Sequence, residues 1–288
     1  PNLVDAFDSG PNNTDNYTNL TTVDFSGTAE ADASVELFDE AVSLGTTTAT
    51  GGVWSFTGVN IGTGASNITA VATNAAGSEA TSAILIVTVD QTSPVAQAPT
   101  DLETIGGRVV TGYWNATNTD LEVTVPLENS DVSLTNGRVQ IQLQNTQTNT
   151  WVSIANTGLS TIADGERSAG EKVVSVSNAD LELTGGFTEG LAGGFSSSET
   201  RFIQIRAVVS DLAGNTTNWT KSATDVDVDQ IPPAVAGGIV VVSNGGASNK
   251  EAILFQVSEP MTNHADPPVE RADDFQFIGA VNTFGSTG

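Results

Sequence analysis

One phrase occurs twice in this chain, and it limits the folds available more than any other feature. TNAAGSEATS at residues 73–82 leads into an apolar run that stops at VDQTSP, 89–94, and SDLAGNTTNW at 210–219 leads into one that stops at VDQIPP, 228–233. In both copies a proline stands four residues beyond the acid, Pro94 after Asp90 and Pro233 after Asp229. Self-similarity on this scale marks stacked modules rather than one enzyme body. Proline lacks a backbone donor and so ends sheet pairing, which divides the chain into 1–93, 94–232 and an incomplete 233–288. Pro1 reads as the same punctuation, and no initiator methionine or signal-peptide pattern stands there, so the sequence reads as an internal slice of something longer.

Within each module the hydrophobic period is two. Val23 and Phe25, Val35 and Leu37, Trp54 and Phe56, then Ile68, Ala70 and Ala72 alternate with polar residues, predicting strands with one buried face. The run AILIVTVD, 83–90, is apolar on both faces, as for a strand inside a sheet or beneath a loop. In the second module RVQIQLQ, 138–144, is the clearest strand, joined by LEVTV (121–125), WVSIA (151–155), KVVSVS (172–177), RFIQIRAVV (201–209) and DVDVD (225–229). No helix pattern is convincing. The Gly- and Ser-rich stretch 183–200 reads as a long loop, mobile or carrying function. Short strands at this spacing, with turn residues between them, predict an all-β chain of tandem immunoglobulin-like β-sandwiches arranged as a rod. The third module offers IVVVS (239–243), AILFQVSEPM (252–261) and DFQFIGAV (274–281), too few strands to complete a sandwich.

Composition removes several functions. Against 34 Asp and Glu stand 9 Lys and Arg, a formal charge of −25, which repels nucleic acid and anionic lipid. There is no cysteine, so disulfides and thiolate metal sites are excluded, and no apolar stretch long enough to span a membrane as a helix. With a single histidine, His264, and no nucleophile elbow or phosphate-cradling loop, catalysis is not expected.

So much negative charge calls for salt or a divalent cation, and calcium, with its preference for six to eight oxygens, is the expected cofactor. Asp90 and Asp229 sit where one module hands the chain to the next. Asp8 and Asp15 flank a loop near such a handover, Asp101 occupies a comparable place after Pro94, and Asp211 with Asn215 forms a loop able to face the same junction. These six aspartates are the candidate metal ligands; the alternative is that they are ordinary turn residues bonding to their own backbone. In DVDVD, three aspartates share one strand face, which fits an exposed edge for Asp225 and Asp227. Tyr113 and Trp114, in an irregular segment, are candidates for stacking on a sugar, against a structural role, while Trp54 fits a core position.

The first module, with DSGPNNTDNYTN (8–19), FSGTAEADASVELFD (25–39), GGVWSF (51–56) and ITAVATNAAGS (68–78), resembles the bacterial Ig-like repeats of large surface adhesins. The second resembles a longer relative through DLAGNTT, VDQIPP and GYWNATNTDLEVTVP (112–126), and the third another variant through LFQVSEPMT and DFQFIGA. The resemblance implies an extracellular, cell-surface string of sandwiches, rigidified by calcium at its junctions, whose role is reach and presentation and whose partners are neighbouring repeats. Two rival expectations stand beside this stalk. One is a filament or surface-layer subunit whose third module is completed by a neighbour's strand. The other is a carbohydrate-binding unit using Tyr113, Trp114 or the 183–200 loop, with glycans as partners.

Overall fold

The computed structural model describes residues 1–145, 150–185, 202–228, 240–243 and 251–254. In the first sandwich the alternation of Thr22–Thr28 and Val53–Asn60 turns Val23, Phe25, Trp54 and Phe56 to one side of an antiparallel pair, with Asn2–Leu3 added at its edge. The facing sheet runs Tyr17–Thr18, Leu85–Val89, Gly64–Thr73, Ser34–Asp39, Val42–Thr48, with Glu79–Thr81 folded back onto Gly64–Thr73. Val35, Leu37, Ile68 and Val87 close the core from that side. Each such side chain contributes about 1.5–3 kcal/mol on leaving water. Trp54 and Phe56 meet edge to face, centroids 5.8 Å apart and planes at 73°.

Leu85–Val89 lies inside its sheet, as expected of the doubly apolar run, but only Val87 and Val89 are buried, while Ile84 is 63% and Ile86 59% exposed. One core layer covers one face only, and the other stays in water. Gly27 lies opposite Trp54, and a Cβ there would come 2.3 Å from the indole. Gly27→Ala should therefore overpack the core and lower stability by about 1–3 kcal/mol, measured by urea unfolding; an unchanged midpoint would show that the indole moves freely.

The second sandwich has its own core. Asp101–Ile105, Asp120–Pro126 and Glu171–Ser177 form one antiparallel sheet, and Thr150–Ser153, Arg138–Asn145, Ile205–Ser210 and Thr216–Asn218 another, with Leu159–Thr161 also on Arg138–Asn145. Val139, Ile141 and Leu143 are buried, whereas Gln140, Gln142 and Gln144 line the half-covered face. On that face Arg206 lies over Trp151, 4.7 Å from the ring centroid, and its Nε donates to Gln142 Oε1 at 2.7 Å. No ladder joins Leu85–Val89 to Asp101–Ile105, and the cores Leu3–Val89 and Leu102–Val226 are separate clusters. Both lie in one compact unit, Pro1–Gln230; Ile231–Gly288 is a second, in which Val240–Ser243 pairs antiparallel with Glu251–Leu254.

Several local expectations change. Asp164–Ala169 and Asn178–Gly185 are short helices. The first starts with Glu166 accepting from the Ala163 amide at 2.8 Å. At the second, Ser177 Oγ accepts from the Asp180 amide at 3.2 Å, a local cap that a search for long amphipathic periods misses. The start of the 183–200 stretch thus belongs to a helix, and 186–200 lies outside the described residues. The edge reading of DVDVD is corrected: Val226–Val228 is the central strand of a small sheet, between Tyr113–Trp114 in parallel and Phe202–Ile203 antiparallel. Asp225 is held by Lys221 Nζ at 3.1 Å and Gln204 Nε2 at 3.1 Å, so local donors relieve the like charge.

Candidate functional site

The repeated phrase is where the two sandwiches meet. Ser210 and Thr216 pair across a hairpin whose turn, Asp211–Asn215, closes by Asp211 N–H to Asn215 O (3.1 Å), Gly214 N–H to Asp211 O (3.3 Å) and Asn215 N–H to Asp211 Oδ1 (2.9 Å). The turn needs Gly214 at φ 87°, the left-handed region. Into it fits the opening loop of the first sandwich. Ser9 Oγ donates to Ala213 O at 2.6 Å across 204 positions of sequence. A Cβ on Gly10 would lie 1.8 Å from Leu212 O and one on Gly214 2.3 Å from Ser9 O, so the backbones themselves are in contact. Arg138 Nη2 donates to Pro11 O at 3.0 Å, and Asn215 Nδ2 to Asp90 O at 2.8 Å. Asp90 closes its own turn by accepting from the Thr92 amide at 2.9 Å.

Acids line both sides of this contact. Asp8 is only 6% exposed; Oδ2 accepts from the Asn16 amide at 2.9 Å, while Oδ1 is buried with no hydrogen-bond partner. Burial raises its pKa above the ordinary carboxylate value, the Asn16 amide opposes this, and the charge and hydrogen-bonding proximity of the Asp15 carboxylate raise it further. Asp211, wholly buried, is also raised, by burial first and then by the charges of Asp90 and Asp131, against the two hydrogen bonds from Asn215. Two acids whose charged forms are disfavoured in this way suit a proton or a hard cation.

The structure thus brings Asp8 and Asp15 together on one side and Asp90 and Asp211 on the other. Asp101 is exposed at the start of its strand, opposite Thr124, and Asp229 lies outside the described residues. Among the described residues no three acidic, histidine or cysteine side chains form a group able to hold a metal, so full coordination would need backbone oxygens and water. Trp114 corrects the sugar-stacking expectation: it is 0% exposed within the second core, its strand paired with Val226–Val228. Tyr113, beside it, is half-buried. Sequence reasoning missed Asp131, Ser9, Gly10 and Arg138. Asp131 reads there as an ordinary cap, accepting from the Ser133 amide at 3.0 Å; the Gly-Pro pair at 10–11 was the available sign of a close backbone approach.

Two β-sandwiches with separate cores, touching loop to loop, make the described residues of 1–228 an all-β fold with two short helices. Residues 1–91 match the family model of the bacterial Ig-like domain, and they are such a domain. No curated protein matches the chain. Solved structures similar to it include the fibronectin(III)-like modules of CbhA from Clostridium thermocellum, with 16% identity, TM-score 0.33, and 74% of this chain and 87% of that one covered. A tetra-tandem repeat from the extending region of a large adhesion protein has 15% identity, TM-score 0.26, and coverage of 82% and 59%. The BSP domain of a biofilm-associated protein has 13% identity, TM-score 0.21, and coverage of 73% and 27%. No helix among the described residues is long and apolar enough to cross a membrane.

Proposed function

We propose that this chain is a spacer segment of a large extracellular bacterial adhesin, a stalk in which Ig-like modules divided near 93 and 232 hold a distal binding domain away from the cell. The observation that carries the reading is the backbone interlock of Ser9–Gly10 with Leu212–Gly214. Two modules on a floppy linker would have no use for it, because such contact restricts their relative orientation; a spacer that must transmit reach does. The role is mechanical rather than catalytic, and its partners are neighbouring modules.

Calcium at the junction is part of the same proposal. Asp8 and Asp15 would hold the ion on one side, through the unpartnered Oδ1 of Asp8, and Asp211 with Asp90 and Asp131 would neutralise charge on the other. A cation there supplies charge compensation and a cross-link. In millimolar calcium the chain should melt higher than in EDTA by at least about 5 °C, since an ion at 100 times its Kd adds about 2.7 kcal/mol. Small-angle scattering should show a narrower distribution of lengths. Identical melting and scattering in both buffers would remove calcium from the reading and leave the acidic surface as a solubility device.

A further inference from the structure

The first sandwich carries a second copy of the turn that receives its neighbour in the second. Asn74–Ser78 closes by Asn74 N–H to Ser78 O (3.0 Å), Gly77 N–H to Asn74 O (2.9 Å) and Ser78 N–H to Asn74 Oδ1 (3.0 Å), the same three bonds that close Asp211–Asn215. Gly77 has φ 80° where Gly214 has 87°. The flanking ladders agree residue for residue: Val71↔Thr81, Ala72↔Ala80 and Thr73↔Glu79 match Val208↔Asn218, Val209↔Thr217 and Ser210↔Thr216. What differs is the occupant. A Cβ on Gly214 would strike Ser9 O, whereas one on Gly77 meets nothing within 4 Å, and beside the turn a groove of about 330 Å³ opens between Pro1, Glu30, Trp54, Asn74 and Ser78.

We infer that Asn74–Ser78 is a docking socket for a like module standing ahead of Pro1, entered by that module's equivalent of Ser9–Gly10. This rests on the tandem reading above and deepens it. The partner is set by the interface already present: a turn of this shape accepts a Ser-Gly backbone at Leu212–Gly214, with the serine hydroxyl donating to the carbonyl before the glycine. At the first socket that carbonyl belongs to Ala76. The side-chain clamps are not repeated. Asn74 stands for Asp211, Ser78 for Asn215, and Ser34, across from Thr73, for Arg138, across from Ser210. The buried carboxylate and the guanidinium are both gone, so docking here depends chiefly on backbone contact.

The test is the full chain with a second copy of residues 1–93 placed ahead of it, which joins Ser93 to Pro1 and so rebuilds the Ser93–Pro94 step. Amide exchange of segment 74–78 in the second copy should slow by about tenfold relative to the unextended chain. Gly10→Val in the leading copy should abolish that protection and leave segment 211–215 unchanged, since that turn is served by the other Gly10. Unaltered exchange at 74–78 with 211–215 still protected would overturn this inference alone. Loss of protection at 211–215 as well would overturn it together with the loop-to-loop junction on which it rests.

Discussion

Trp114→Ala should remove about 3–5 kcal/mol from the unfolding free energy of the second sandwich, a large part of the roughly 5–15 kcal/mol available to a domain. The ring is fully buried among the residues of that core, and its strand, only Tyr113–Trp114, pins the parallel edge of the sheet centred on Val226–Val228. Truncation loses both the transferred area and the packing, because a two-residue strand cannot collapse into the space. The indole N–H is buried without a partner, so Trp114→Phe should cost much less: it keeps most of the ring and deletes an unsatisfied donor. Urea unfolding followed by far-ultraviolet circular dichroism reads both. If alanine changes stability by less than about 0.5 kcal/mol, as at an exposed position, the core assignment is wrong and sugar stacking regains its footing.

In EDTA, Asp8 and Asp211 should add stability as pH falls through their raised pKa values toward 3.8, the reverse of their part in ordinary acid denaturation. Asp8 and Asp211 have folded pKa values raised above their ordinary 3.8. The folded state therefore holds more protons than the unfolded one between 3.8 and the raised values, and stability declines as pH rises through that window, leaving the full penalty at neutrality. Asp180 acts oppositely, its pKa lowered to about 2 by hydrogen bonds from Thr157 and Asn156, then Ser177. Its stabilising contribution is present above the ordinary value and lost only as pH falls from there toward 2, outside the range tested. Protonation of the other acids also relieves general repulsion, so the variant is the sharper measure. Asp8→Asn should stabilise the chelated chain at pH 7 by about 1–3 kcal/mol, the scale of a buried unsatisfied polar group, and flatten the pH response. In calcium the same variant should lose the ion's stabilisation. A variant that melts lower in EDTA, or an unchanged pH profile, would show that Asp8 is not held ionised against its surroundings.

Strand positions were legible in the sequence wherever burial was one-sided. Val139, Ile141 and Leu143 alternate with glutamines, and a one-residue slip would put all three in water, so pattern and register agree. The repeat was legible as well: both copies of the phrase fold into the same glycine-bearing hairpin turn, at Asn74–Ser78 and Asp211–Asn215, because turn closure acts through local backbone chemistry. The two short helices were not, since each rests on a local cap rather than on a long period. DVDVD looked like an edge because its own charges suggest one. Its neighbours come from positions 113–114 and 202–203, which no local window contains.

The candidate site divides along the same line. Sequence alone showed aspartates near each copy of the repeated phrase, and that without thiols a metal would be bound chiefly by oxygen. Tertiary structure alone decided which of them are buried at the contact. Asp8 and Asp211 were two acids among 34 until folding buried both, left one oxygen of Asp8 without a partner, and set Asp131 beside Asp211. Tertiary structure alone also decided that Gly10 and Gly214 serve contact rather than flexibility. The reason is physical: turn type follows from neighbours in the chain, whereas desolvation and backbone collision depend on neighbours in space, and for Ser9 and Ala213 those are 204 positions away.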